Sequence, residues 1–529
     1  MPQSIGAIGK GAVAGALILP ALGAILEAIL ATRFPISTLP LTMAIGAMAG
    51  GYIGARAQRG AGAAAPDLGN ARFASGAEID TLTRRAPESL AIGWTVNGKS
   101  GERPLLYYSG PGHLLTIAPT RSGKGVGAII PNLLIADRSV FVIDPKGENA
   151  KITARRRRSF GPVFCLDPFE ISGQPCARFN PLGDLHADSL DLAEDAATLA
   201  DALVLDSGDA KDSHWNDEAK ALIAGIIMYV AAMERPEAST LDRVRQYLTL
   251  PPDLFHEFLR EMAGLSAARG LIARTGGRFL GKTGPEFAGV VSTAQRHTQF
   301  LDSPRIADAL SRSDFSFADL AKGVASIFVV LPPDRLETYN RWLRLMINAA
   351  LRELTRAPKK PARPVLFLLD EFAALGRLDE VRRGVGLMAG YGVQFWPILQ
   401  DFSQLISTYG DSADTFLANA EVLQAFNVQD LETAKRLSDR MGDRTIMFTT
   451  ETQNSGTSSP GAFDKGTMTY SKGVGLTTHA QARRLMKPEE ILHMMDGTEL
   501  LFVKGYPPMQ AGKIRYFERP EFKGLYDAP

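Results

Sequence analysis

The chain has 529 residues, with 58 Lys and Arg against 57 Asp and Glu, so its formal charge of +1 excludes a protein that wraps nucleic acid through bulk positive charge. Hydrophobic residues make up 45% and charged residues 22%, a globular balance with length enough for several domains. Cys165 and Cys176 are the only cysteines, too few for a disulfide scaffold or a four-cysteine zinc site, and they fit a reducing compartment.

Residues 11–31 form a near-continuous apolar run, long enough to span about 30 Å as a helix. A second uncharged run covers residues 36–55 and is joined to the first through Arg33, Phe34 and Pro35. Two antiparallel membrane helices are expected, forming an anchor over 1–55. Lys10 before the first run and Arg56, Arg59 and Arg72 after the second outweigh the single arginine between them, so both ends are expected in the cytoplasm. Pro20 and Glu27 tell against a smooth first span, and a cleaved signal peptide is the competing reading. Residues 56–75 lack an apolar period and read as a juxtamembrane linker.

From residue 76 an α/β pattern begins. Apolar runs at 113–118, 139–144, 162–167, 326–332, 365–371, 393–400 and 499–505 carry little alternation, the signature of strands covered on both faces, and predict a parallel or mostly parallel sheet. Helical spacing dominates 184–318, which predicts an all-helical domain inserted between two halves of the α/β domain, 76–183 and 319–529. A further helix is expected over 336–354. The Ser/Thr/Gly-rich stretch 449–475 reads as a mobile loop.

The first chemistry lies at Pro119, Thr120, Arg121, Ser122, Gly123, Lys124, Gly125 and Val126, between an apolar strand and a helix start. That context suits a phosphate-binding loop, in which backbone N–H groups converge on phosphate oxygens and Lys124 supplies a cation. The strict pattern wants Gly at 118 and a hydroxyl residue at 125, where this chain has Ala118 and Gly125. Asp370 and Glu371 end the apolar strand 365–371, at the sheet edge where open α/β folds place their ligands. Asp370 suits a magnesium-bound water, and Glu371 suits polarising the water that attacks the γ phosphate of ATP. An acidic helix cap is the plainer account of the same pair. Gln400 ends the next strand and is a candidate for holding the attacking water. Asp144 is a candidate second metal partner, and Lys146 a candidate phosphate or subunit contact.

In order, the chain carries PTRSGKGVG at 119–127, IPNLL at 130–134, DPKGE at 144–148, FNPL at 179–182, HWNDEAKALI at 214–223, LLDEFAALGRL at 368–378 and KIRYF at 513–517. This set resembles the TraG-like type IV secretion coupling proteins, membrane-anchored P-loop ATPases, over nearly the whole chain. The resemblance implies a RecA-like P-loop ATPase domain with an inserted all-helical domain, preceded by two transmembrane helices. It further implies a ring, pictured as a hexamer, in the cell inner membrane with the ATPase in the cytoplasm. Such a ring binds ATP and Mg2+ at subunit boundaries and recruits relaxase-bound DNA or effector proteins to a type IV secretion channel. Lys124, Asp370, Glu371 and Gln400 match the family's catalytic positions, and GKG is an accepted form of its loop. DNA-pumping relatives often carry a trans-acting arginine about eleven residues before the glutamine. Ala389 stands there in this chain, with Arg377, Arg382 and Arg383 as nearby candidates.

Arg155, Arg156, Arg157 and Arg158 are candidate contacts for DNA phosphate or anionic lipid, with a solvated helix end as the plainer reading. Any such grip on DNA is expected to be indifferent to base sequence. Two rivals accompany the coupling ATPase. One is a membrane-bound receptor that binds ATP structurally, and the other is a septal-type DNA translocase.

Overall fold

The computed structural model describes residues 68–96, 103–205, 210–458 and 469–528; both apolar runs of the expected anchor lie outside them. Among the described residues no helix is long and apolar enough to cross a membrane. The chain divides into two compact units, the larger comprising residues 71–442 and 484–529.

The larger unit is built on one eleven-stranded sheet. Its parallel part contains β3 (His113–Ile117), β4 (Val140–Asp144), β5 (Val163–Leu166), β6 (Ser326–Val330), β7 (Val365–Leu369), β8 (Val393–Leu399) and β9 (Ala420–Ala425), in spatial order β5-β6-β4-β7-β8-β3-β9. Beyond β9 the sheet turns antiparallel through β12 (Thr498–Val503), β13 (Met509–Gly512), β1 (Leu90–Thr95) and β2 (Leu105–Tyr108). The seven apolar runs are all strands. Run 499–505 belongs to the antiparallel flank, however, and that flank also contains strands 90–95, 105–108 and 509–512, which carry no comparable run.

Every residue of β4, β6 and β7 is buried, and successive residues feed opposite cores. Phe141, Ile143, Ile327, Val329, Phe367 and Leu369 face one side. Val140, Val142, Phe328, Val330, Leu366 and Leu368 face the other. Full burial of each such side chain contributes about 2–3 kcal/mol, and polar residues stand only at the strand ends, as Ser326 and Asp144, where each has a hydrogen-bond partner. Helix Leu336–Arg356 lays Trp342, Leu343, Met346 and Ile347 on the first face, while Leu133, Ala136 and Ala150 help cover the second.

Between β5 and β6 the described chain is helical, with helices such as Leu192–Leu203, Leu241–Leu248, Pro252–Ala263 and Gly284–Thr298. Its apolar residues join the first-face core directly, so this insertion and the sheet share one hydrophobic interior. Asp195 reinforces the seam by accepting from Arg356 Nη1 at 3.0 Å.

The smaller unit includes residues 68–70 and 443–483. Here β10 (Asp443–Ser458) and β11 (Thr469–Arg484) form a two-stranded ribbon, which corrects the expectation of an irregular loop over 449–475. Residues 459–468 lie outside the description. Threonine is β-branched and favours extended backbone, so the composition that reads as a loop also supports strands. Residues 68–70 meet the base of β10, where Thr445 N donates to Gly69 O at 2.7 Å.

Candidate nucleotide site

Parallel register brings the site together. Ile117 pairs with Leu399, Leu369 with Pro397 and Ile143 with Leu369, so β3, β4, β7 and β8 all end on the same sheet edge. The chain leaving β3 is pinned there by Ala118 N donating to Leu399 O at 2.8 Å. It then turns through Arg121 (φ 63) and Gly123 (φ 89) before helical backbone begins at Gly125. A Cβ at Gly123 or at Gly125 would meet nothing within 4 Å, so the concave side of the loop is open.

Among the described residues the Gly123 and Lys124 N–H groups have no acceptor, and the buried Ser122 Oγ has no partner. Orphan donors at a helix start, a buried unpaired hydroxyl and an adjacent lysine are a donor set that fits polyphosphate.

Lys124 connects the loop to the acidic strand end. Its Nζ lies 2.9 Å from Asp370 Oδ1 and donates to Glu371 Oε1. Gln400 Nε2 donates to Glu371 Oε2 at 3.3 Å. The loop lysine, both carboxylates and the glutamine therefore converge in one cluster. Burial alone draws the Lys124 ammonium down, but the Asp370 and Glu371 carboxylates outweigh it and hold the pKa above the ordinary lysine value. Burial pushes the Asp370 carboxyl up against the pull of Lys124.

Two local features shape this cluster beyond what residue type shows. Glu371 adopts left-handed backbone (φ 51, ψ 43), which costs a non-glycine residue about 1–2 kcal/mol. Its N–H donates to Asp370 Oδ1 at 2.9 Å, which fixes the two carboxylates relative to each other. Gln400 is held through its backbone: its N–H donates to Gln404 Oε1 at 3.0 Å, and Gln404 N donates to the capping Asp401 at 2.8 Å. Gln404 and Asp401 went unnoticed in the sequence, although Asp401 before an apolar-periodic segment is an ordinary N-cap signal.

Asp144 is a correction. Both its oxygens are engaged at the start of helix Glu148–Arg158, Oδ2 accepting from Ala150 N at 2.8 Å and Oδ1 from Asn149 Nδ2 at 3.2 Å. Complete burial pushes its pKa up to about 7, and the group caps a helix instead of presenting itself as a metal ligand. Among the described residues no three His, Cys, Asp or Glu side chains cluster as a metal site. Mg2+ takes most of its ligands from phosphate and water, and Asp370, at the strand end beside the loop, is the carboxylate that would supply the small protein share. Lys146 is exposed beside the same edge.

The arginine run is a second correction. Arg157 is fully buried, donating from Nε to Ser326 Oγ at 2.8 Å and from Nη1 and Nη2 to Ala136 O and Arg138 O, each at 2.6 Å. It cannot meet DNA or lipid. Arg155 pairs with Asp527 at 2.6 Å, Arg156 donates to Leu134 O at 3.0 Å and Arg158 to Gln174 Oε1 at 2.7 Å, yet Arg155 and Arg158 remain exposed and Arg156 half-buried, so burial removes Arg157 alone from the candidates. The candidate trans arginines sit together: Arg377 and Arg382 both pair with Asp379, at 3.1 and 3.0 Å, and exposed Arg383 lies 3.7 Å from Glu380.

With this geometry in hand, the family described as type IV secretory system conjugative DNA transfer matches residues 68–527. The chain belongs to this family. It is 30% identical over 482 residues to the conjugal transfer protein TraG of Escherichia coli, covering 84% of this chain and 74% of that one. It is 28% identical to the protein VirD4 of Agrobacterium fabrum, covering 81% of this chain and 61% of that one. Its mixed α/β fold is also that of the plasmid coupling protein TrwB, solved with the non-hydrolysable ATP analogue ADPNP. The TM-score is 0.61 at 16% identity, over 85% of this chain and 94% of that one. A TrwB structure with ADP and Mg2+ gives a TM-score of 0.60 at the same identity and the same two coverages.

Proposed function

We propose that this chain is the ATP-driven coupling protein of a conjugative type IV secretion system, passing relaxase-bound DNA or effector proteins to the secretion channel. The observation that carries this reading is the convergence of Lys124, Asp370, Glu371 and Gln400 at one sheet edge beside a loop with free N–H donors. Lys124 is neutralised by the two carboxylates. On nucleotide binding it exchanges them for the β and γ phosphates, which releases both acidic groups for chemistry. Bound Mg2+ supplies charge neutralisation at the phosphates, and Asp370 is the residue that would hold it. Glu371 then orients and deprotonates the attacking water, with Gln400 fixing the Glu371 carboxylate.

Assembly as a ring of six subunits is part of this proposal, as is anchoring in the inner membrane through residues 11–31 and 36–55. Arg377, Arg382 and Arg383 are the candidates for completing a neighbour's site. The relatives named TraG and VirD4 support the role in DNA transfer, and the TrwB complexes support nucleotide as the ligand.

Phosphate release by the full-length protein, measured with and without single-stranded DNA, tests the reading. Glu371→Gln is expected to lower turnover by about two to four orders of magnitude while nucleotide still binds. Lys124→Ala is expected to lose both binding and turnover. Wild-type rates in both variants would refute the assignment. A wild-type protein that binds nucleotide without turnover would favour the receptor reading.

A further inference from the structure

The KIRYF segment matched the family by sequence, yet the catalytic cluster makes no use of it. In the structure its first residue lies beneath the phosphate loop. Lys513 follows β13, and its side chain is 7% exposed. The ammonium has three donors, and three acceptors surround it: Asn427 Oδ1 at 2.6 Å, Asp496 Oδ1 at 2.7 Å and the backbone carbonyl of Ser122 at 3.1 Å. Phe426 places its ring 5.3 Å from the same nitrogen.

Each anchor is itself held. Asn427 adopts left-handed backbone (φ 54) just past β9, after Phe426 N has donated to Ile117 O at 3.2 Å at the end of β3. Asn427 Nδ2 donates to Asp496 Oδ1 at 2.8 Å, and Arg515 Nη2 donates to Asp496 Oδ2 at 3.2 Å. The Lys513 backbone is pinned on both sides: its N–H donates to Gly497 O at 2.9 Å and its carbonyl accepts from Trp94 Nε1 at 2.8 Å. The next residue touches the far end of the loop, where a Cβ at Gly127 would stand 3.1 Å from Ile514 O. Glycine at 127 is what permits that approach.

We infer that Lys513 is a positioning residue of the nucleotide site, which orients the Gly123 N–H toward phosphate by holding the Ser122 carbonyl. The reasoning is peptide geometry. The peptide bond between Ser122 and Gly123 is trans, so the Ser122 carbonyl and the Gly123 N–H point in opposite directions across one rigid plane. A carbonyl turned down onto a buried ammonium sets the N–H upward, on the open side of the loop. Gly123 with φ 89 has no side chain to hold that plane, so without an external tether the peptide is free to rotate. Lys124 acts on the ligand as a charge. Lys513 acts from beneath, on the shape of the backbone that receives it.

This inference rests on the nucleotide reading, and a titration series separates the two. ADP and AMP affinities are measured on the full-length protein with Mg2+ present, for wild type, Lys124→Ala and Lys513→Met. A loop that recognises the β phosphate makes ADP bind more tightly than AMP. Lys513→Met is expected to reduce the ADP-to-AMP affinity ratio by about tenfold, on the scale of one charge-assisted contact, while AMP binding stays near wild type. A wild-type ratio in Lys513→Met, alongside a collapsed ratio in Lys124→Ala, overturns the role of Lys513 alone. No preference for ADP in wild type overturns the nucleotide reading itself. If Lys513→Met does not fold, Asp496→Asn keeps the side-chain shape and removes the anionic anchor. It is expected to lower the ratio about threefold, and an unchanged ratio there also overturns the inference.

Discussion

Glu499 offers a quantitative test of the sheet that supports the phosphate loop. It lies on β12 with 1% exposure, at the end of a chain of side chains crossing four strands. Trp396 Nε1 donates to Thr116 Oγ1 at 2.8 Å, Thr116 Oγ1 donates to Gln424 Oε1 at 2.9 Å, and Gln424 Nε2 donates to Glu499 Oε2 at 2.6 Å. Among the described residues Oε1 has no partner, and a Cβ at Gly93 would overlap it, so glycine there leaves the carboxyl its room. Burial pushes this carboxyl up from 4.5 to about 8, with Gln424 and then the charge of Lys513 pulling the other way.

The folded state therefore holds the proton more tightly than the unfolded one. The stability this confers is complete below the unfolded value near 4.5 and is lost as pH climbs through about 8. At about 1.4 kcal/mol per pH unit, the window is worth roughly 4–5 kcal/mol, an upper figure for a group that relaxes when it ionises. Glu499→Gln imitates the protonated form and removes the dependence. Unfolding midpoints of the full-length protein from pH 5 to pH 9 are the measurement. The variant is expected to match wild type near pH 5 and to exceed it progressively toward pH 9, by several degrees. Parallel profiles would show that Glu499 ionises in the folded protein without penalty, and the argument from burial would fall.

Arg157→Met strands two buried carbonyls and the Ser326 hydroxyl, and is expected to cost about 3 kcal/mol or more, whereas Arg158→Ala on the exposed side should change stability by no more than about 0.5 kcal/mol. Paired thermal melts check the contrast, and equal effects would contradict the correction made to the arginine run. MgADP at a hundred times its dissociation constant should stabilise the folded chain by about 2.7 kcal/mol. That upward shift in melting should disappear in Lys124→Ala; a shift that survives there would place the nucleotide elsewhere.

The parallel strands other than β9 were legible because burial on both faces demands unbroken apolar runs, as in Val365–Leu369 with every residue buried. β9 and the flanking strands β1, β2 and β13 were not, because they break that rule. LAIGWT at 90–95 contains the glycine that makes room for Glu499, MQAG at 509–512 offers two apolar residues, and β9 carries the buried Gln424. A network of buried polar groups takes the place of the apolar signal there. Lys124, Asp370 and Glu371 were readable because residue type at a strand end is itself the chemistry. The Glu371 backbone and the Lys513 tether were hidden for a different reason. One is a dihedral angle, and the other joins residues 391 positions apart, beyond the reach of any local pattern.

The arginine run shows a signal that was present but outweighed by composition. Four identical residues invite one shared role, yet on a helix each lies about 100° from the next. The buried side of helix Glu148–Arg158 includes Ala150, Thr153, Ala154 and Arg157, spaced three, four and seven residues from the first. Position 157 thus falls on the stripe that packs against the molecule, while 155 and 158 fall outside it. An arginine on that stripe must either expel the helix or satisfy its donors inside, and the carbonyls of Ala136 and Arg138 supply the second outcome. Helical phase, more than charge density, decides which members of a basic cluster remain free for phosphate.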